Sequence, residues 1–304
     1  MLGPGEDLTS LSAKKDHLGV LRYIRAHELR ESDLVISHGT ALLGGPKLAK
    51  RLDDTASRAA ALEQICLAAC DTDDLDMAQV ALSQLAAHVN KDSVRFQRLS
   101  GRCLEAAGDY NGAMIIYEEL LQQNPANVMA LQRKYCVMRA QQTEPTEKVI
   151  AALNEYLGQQ LQDVSGWYEM AQLRMSLADF KSAAYALEQV VLGSPLDANL
   201  HRELAEVYAT VGGLENTKLA RKHMAQSLEL DPSNIRAQLG LVSVANQYLE
   251  ESAGAGKKQA DEHEKLVAKE LVKFGAAEVL KSYKGSKMFS NVKRVMDDYT
   301  ENSP

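Results

Sequence analysis

Apolar residues recur along this chain at helical spacing, and the clearest run lies between Val164 and Pro195. Trp167, Met170, Ala171 and Arg174 fall at i, i+3, i+4 and i+7, on one face of a helix with the arginine at its edge. Ala183, Leu187 and Val190 share a face of a second helix. Ala178-Asp179-Phe180 separates the two, and Ser194-Pro195 closes the second, because proline disfavours helical geometry in the residue before it. The segment is predicted to be a helical hairpin.

This order of residues is a large side chain, a large and a small one three and four places on, an aromatic after the turn, an alanine and a closing proline. It resembles the tetratricopeptide repeat. The small Ala171 and Ala183 let two helix backbones approach, while Trp167 and Phe180 fill the space beside them. One hairpin cannot bury its apolar face alone, so neighbouring copies are expected. Gly101, Leu104, Gly108, Tyr110, Ala113, Tyr117, Leu120 and Pro125 form one copy, and Leu204, Ala205, Tyr208, Gly212, Ala220, Met224 and Pro232 form another. A degenerate unit runs from Val128 to Leu161, with Met138, Leu153 and Tyr156 expected on its buried side. An earlier unit carries Leu62, Ile65, Cys66, Ala69, Leu75, Ala78, Leu82 and Leu85. Five consecutive units predict an all-α tetratricopeptide-repeat solenoid.

The flanks lack the repeat pattern. Residues 1–16 are polar and expected to be disordered. Residues 17–54 are expected to form N-terminal capping helices, one from His17 to Leu29 and one capped by Ser32 and ending near Leu43. The solenoid is placed at 55–250, with Ile235, Leu239 and Val242 on one side of its last helix. A loop follows at 251–261, then a C-terminal capping helix from Glu262 to Tyr283, a weak helix from Met288 to Tyr299 and a tail, together 262–304.

Composition narrows the function. The chain has 304 residues, 45% hydrophobic but only 5% aromatic, so its core is expected to be mostly Leu, Ala and Val. A formal charge of −7 argues against nucleic acid as a partner, which usually selects a basic surplus. No run approaches the roughly 18 apolar residues of a membrane span, and MLGPGEDLTS lacks a signal-peptide core. The chain is expected to be soluble and cytosolic. Cys66, Cys70, Cys103 and Cys136 fall within helices and read as reduced core residues. Zinc is set aside because no second Cys or His pair follows Cys66 and Cys70 at zinc spacing.

No catalytic constellation emerges. Gly254 to Lys258 ends like a phosphate loop, but Glu251 stands where the first glycine belongs and Lys258 where a Ser or Thr belongs. His201 and His223 read as exposed or half-buried rings on repeat helices. No cofactor, metal or small-molecule substrate is expected. The first helix of each hairpin should line a concave surface carrying Arg95, Arg98, Arg102, Arg139, Tyr168, Gln172 and Arg202 as candidate partner-binding residues, beside Met175 and Glu206. Arg95, Arg98 and Arg102 form one stripe. It reads either as a groove for an acidic segment, since arginine forks carboxylates, or as a solvated helix face.

One segment goes beyond the generic repeat. VGGLENTKLARKHMAQSLELDPSNIRAQLGL, from Val211 to Leu241, resembles subunit 2 of the endoplasmic reticulum membrane protein complex, with its GGLEN-type turn before an LARKxxAQSL-type helix. NEYL at Asn154, the Trp167 helix, the CLEAAGDYNGAMIIYEELLQQNP unit and RESDLVISHGTALL are similar to the same family in the same order. The resemblance covers roughly residues 20 to 285, and departs at the TEPTEK turn and at the loop around 252–260. It implies a non-catalytic scaffold, peripheral on the cytoplasmic side of the endoplasmic reticulum membrane, that supports insertion of tail-anchored and multipass proteins. The partners implied are membrane subunits 3 and 5 and the soluble subunit 8/9. The alternative is a tetratricopeptide co-chaperone or adaptor binding acidic peptide tails. Such proteins commonly pair a basic residue with an asparagine four residues on. Here the pairs are Arg98 and Arg102, Gln132 and Cys136, Tyr168 and Gln172, and Arg202 and Glu206, without an asparagine.

Overall fold

The computed structural model describes residues 7–43, 55–254 and 262–301, and these are helices joined by short turns. The chain divides into two compact units, residues 1–152 and 153–304, a boundary inside a repeat that the periodicity does not draw. The first contains α1 (Leu8–Ala13), α2 (His17–Ala26), α3 (Ser32–Leu43), α4 (Thr55–Asp71), α5 (Leu75–Ala86), α6 (Val94–Ala106), α7 (Tyr110–Gln123), α8 (Val128–Gln141) and the start of α9 (Thr146–Gln159). The second holds the rest of α9, then α10 (Val164–Ser176), α11 (Phe180–Gly193), α12 (Ala198–Val211), α13 (Leu214–Leu230), α14 (Ile235–Gly254), α15 (Glu262–Ser282) and α16 (Phe289–Glu301). The predicted hairpins α4–α5, α6–α7, α10–α11 and α12–α13 each pack helix against helix, and α8 and α9 are the two helices of the degenerate unit.

One turn recurs. Lys15, Asp73, Gly108 and Ala178 adopt left-handed backbone, which lets the next N–H reach a carbonyl five residues back: Asp16 to Leu11, Asp74 to Ala69, Asp109 to Leu104 and Asp179 to Arg174. Each of these aspartates then caps the following helix, its carboxylate accepting the N–H of Gly19, Met77, Gly112 or Ser182. The residue before the aspartate is thus the one with strained geometry. Ala178 holds φ at 57°, which costs an L-residue about 1 kcal/mol. Ala178→Gly should stabilise the chain by about that amount and raise its melting temperature, whereas Gly108→Ala should lower it.

Small residues close the hairpins as expected. Ala113, Ala171, Ala183, Ala205 and Ala220 are fully buried. A Cβ on Gly101 would lie 2.7 Å from the Tyr117 ring, itself fully buried, so glycine is what lets α6 and α7 meet.

The flanks differ in places from the sequence reading. Leu8–Ala13 is a helix rather than part of a disordered stretch, because Asp7 caps it and Leu11 joins the core of Leu18, Leu21, Ile24, Val35, Leu62 and Ile65. Ser32 lies within α3, and its hydroxyl donates to Asp71 at 3.0 Å instead of capping the helix. Helix α14 runs on to Gly254 where a loop from 251 was expected. Glu251 explains the extra turn: it accepts the N–H of Gly213 at 3.1 Å and the hydroxyl of Thr217 at 3.0 Å. Gly213 opens α13 without a side-chain cap, so the GGLEN turn takes its partner from a later helix. Ile235 and Leu239 are exposed, and the buried side of α14 is Ala237, Leu241, Val242, Val244, Ala245 and Tyr248. Met138 is only half-buried, while Leu153 and Tyr156 are buried as expected. Helices α14, α15 and α16 share a core of Val242, Tyr248, Val272, Val279 and Met296. The rest of the expected loop, 255–261, lies outside the described residues, as do most of the lysine and glycine positions of the phosphate-loop-like segment.

Candidate functional site

In the first unit, α4, α6 and α8 each turn one stripe toward a cavity of about 470 Å³. Glu63, Leu67 and Asp71 contribute from α4, Arg95, Arg98, Leu99 and Arg102 from α6, and Met129, Gln132 and Arg133 from α8, with Arg30 at the edge. The predicted arginine stripe is therefore real as a line, but two of its members are already engaged. Arg95 donates from Nε to Glu63 at 2.7 Å. Arg102 lies 3.8 Å from both Asp71 and Glu105. Burial works against the Asp71 carboxylate, yet hydrogen bonds from Arg30 and Ser32, with Arg102 beside them, hold its pKa below the usual value. Arg98, half-buried between its neighbours, has no ion-pair partner among the described residues. Arg139 sits exposed in the last turn of α8, away from the residues lining this cavity.

Sequence reasoning missed the carboxylates and Arg133. Glu105 accepts the Tyr117 hydroxyl at 2.5 Å and Arg133 Nε at 2.9 Å, with a second guanidinium nitrogen on its other oxygen. Burial and then Glu105 push the Tyr117 hydroxyl well above the ordinary phenol range. Burial alone would lower the Arg133 pKa, but its bonds to Glu105 raise it. The signal lay one repeat apart: an acid on the earlier first helix faces a base on the next, as in Glu63 with Arg95, Asp71 with Arg102 and Glu105 with Arg133.

The second unit repeats the arrangement. Glu206 on α12 takes both Nε and a terminal nitrogen of Arg236 on α14, each at 2.8 Å. It also accepts Arg202 at 2.8 Å. Arg202 is 8% exposed and bonded to Glu203 as well, so this predicted binding residue is spent within its own fold. Tyr168 donates to Glu203 at 3.0 Å, and Gln172, one turn further on, is exposed. His201, expected at or near the surface, is buried against His223, their Nδ1 atoms 3.0 Å apart. The LARK segment ties α13 to the helices that follow it. Its Arg221 guanidinium lies 4.5 Å from the Tyr248 ring centre and donates to the Glu264 carbonyl at 2.9 Å and to its carboxylate.

A profile described as the EMC2 TPR-like repeat domain matches residues 80–228. ER membrane protein complex subunit 2-A of Xenopus laevis is 32% identical over 259 residues, which cover 85% of this chain and 83% of that protein. The chain belongs to the ER membrane protein complex subunit 2 family. Subunit 2 of Xenopus tropicalis is 36% identical over 71% of each chain, and that of Dictyostelium discoideum 28% identical over 69% of this chain. Among solved structures, the C-terminal part of a TPR repeat-containing protein from Cytophaga hutchinsonii superposes with a TM-score of 0.53 over 94% of this chain and 97% of that one. At 12% identity that likeness concerns the fold alone.

Proposed function

We propose that this chain is a non-catalytic scaffold subunit of the endoplasmic reticulum membrane protein complex, held peripherally on the cytoplasmic face and supporting insertion of tail-anchored and multipass proteins. The observation that carries the reading is the similarity to subunit 2-A across 85% of the chain. Among the described residues no helix is long and apolar enough to cross a membrane, which favours attachment through partners. The partners proposed are membrane subunits 3 and 5 and the soluble subunit 8/9. Arg98 is the guanidinium left over for a partner's carboxylate, so the acidic-segment reading of the stripe narrows to that residue.

The test is replacement of the endogenous subunit in cells by this chain. The wild type should co-purify with the other subunits, restore insertion of a tail-anchored reporter and leave membranes on alkaline carbonate extraction. Arg98→Glu should weaken co-purification about tenfold, because a charge-assisted pair becomes a like-charge one. Its circular dichroism should be unchanged. Capture of heat-shock chaperone tails without any subunit of the complex would replace this reading by the adaptor one.

A further inference from the structure

We propose that Cys66, Cys70 and Cys103 form a three-thiolate site for a soft monovalent cation, copper(I). Cys66 and Cys70 stand one turn apart on α4, and Cys103 comes from α6, one repeat later. Their sulfurs all lie within 4.8 Å of one another, with Cys66 to Cys103 at 3.2 Å and Cys70 to Cys103 at 3.7 Å. Metal–thiolate bonds of about 2.3 Å to a common centre place the sulfurs of a trigonal plane about 4.0 Å apart. The three are therefore near ligating distance already, and sub-ångström rotamer shifts complete the triangle.

The choice of cation follows from the donor count. No fourth His, Cys or carboxylate joins the cluster among the described residues. Asp71, the carboxylate whose charge reaches Cys70, is held by Arg30 and Ser32. Structural zinc is almost always four-coordinate, whereas soft thiolates alone suit copper(I). A cavity of about 210 Å³, lined by Arg102, Arg133 and Cys136 among others, opens onto Cys70 and gives the ion a path. Cys66 is fully buried and does not line that cavity.

The experiment uses the full-length protein, reduced and kept anaerobic, titrated with copper(I) against bicinchoninate. One copper per chain should leave the chelator, with ultraviolet thiolate-to-copper charge transfer and an X-ray absorption spectrum of three sulfur neighbours. Cys70→Ser and Cys103→Ser should each lower affinity at least the roughly 100-fold that loss of an outer-shell partner alone can cost. Cys136→Ser should bind as the wild type does. Should a variant fail to fold, the wild type still decides: copper(I) should slow alkylation of Cys70 and Cys103, read by mass spectrometry, and leave that of Cys136 unchanged. No uptake from the chelator, equal slowing at Cys136, or a preference for zinc(II) over copper(I) would each overturn the proposal.

Discussion

Glu264→Ala should destabilise the second unit by about 3–5 kcal/mol, the usual result of removing one partner from a buried ion pair. The Arg221 side chain is only 4% exposed, and its Nε already has no hydrogen-bond partner among the described residues. Without Glu264 its charge would face only the Tyr248 ring and a backbone carbonyl. Lys218, 2.7 Å from the same carboxylate, would lose its partner too. Replacing both members with apolar residues, as in Arg221→Met with Glu264→Leu, should be close to neutral, because no charge is then left buried. Urea titration of the three proteins checks this, and hydrogen exchange should show α15 opening first in the single variant. Equal losses in the single and double variants would mean that packing, not the pair, holds α15.

Glu105→Ala should have a comparable effect on the first unit, about 3 kcal/mol. Two groups lose their acceptor at once: the Arg133 guanidinium and the Tyr117 hydroxyl, whose ring is fully buried under Gly101. Adding Tyr117→Phe to Glu105→Ala removes the stranded hydroxyl and should recover about 1 kcal/mol, a double-mutant result that simple loss of packing would not produce. Thermal melts of the single and double variants give the comparison.

The hairpins are legible in the sequence because their information is local. A 3.6-residue period, an alanine or glycine at the close approach and, in three of the hairpins, an aspartate after the turn lie within a few residues of one another, so Ala171, Ala183 and Asp179 announce themselves. The face of α14 misleads for a related reason. Large Ile235 and Leu239 draw the stripe, yet Ala237, Ala245 and Gly240 let the neighbouring helices come close, and a Cβ on Gly240 would meet Met224 at 2.5 Å. The candidate site is the least legible part. Arg95, Arg98 and Arg102 line up along one helix, while the partners Glu63 and Asp71 lie a full repeat earlier, and the third sulfur of the cysteine cluster is likewise a repeat away from the first two. Periodicity finds what repeats; it does not find what one repeat offers the next.

Where an acid on one first helix meets a base on the following one, as between α4 and α6, α6 and α8, and α12 and α14, a cut between the two also has a polarity. A piece ending after α7 would carry Glu105 without Arg133 at its trailing end, and a piece beginning at α8 would carry Arg133 alone at its leading end. Trailing ends are then anionic and leading ends cationic, so two copies of one piece repel when joined tail to tail and attract head to tail. Complementary pieces should accordingly reassemble in native order, and added salt should slow that reassembly.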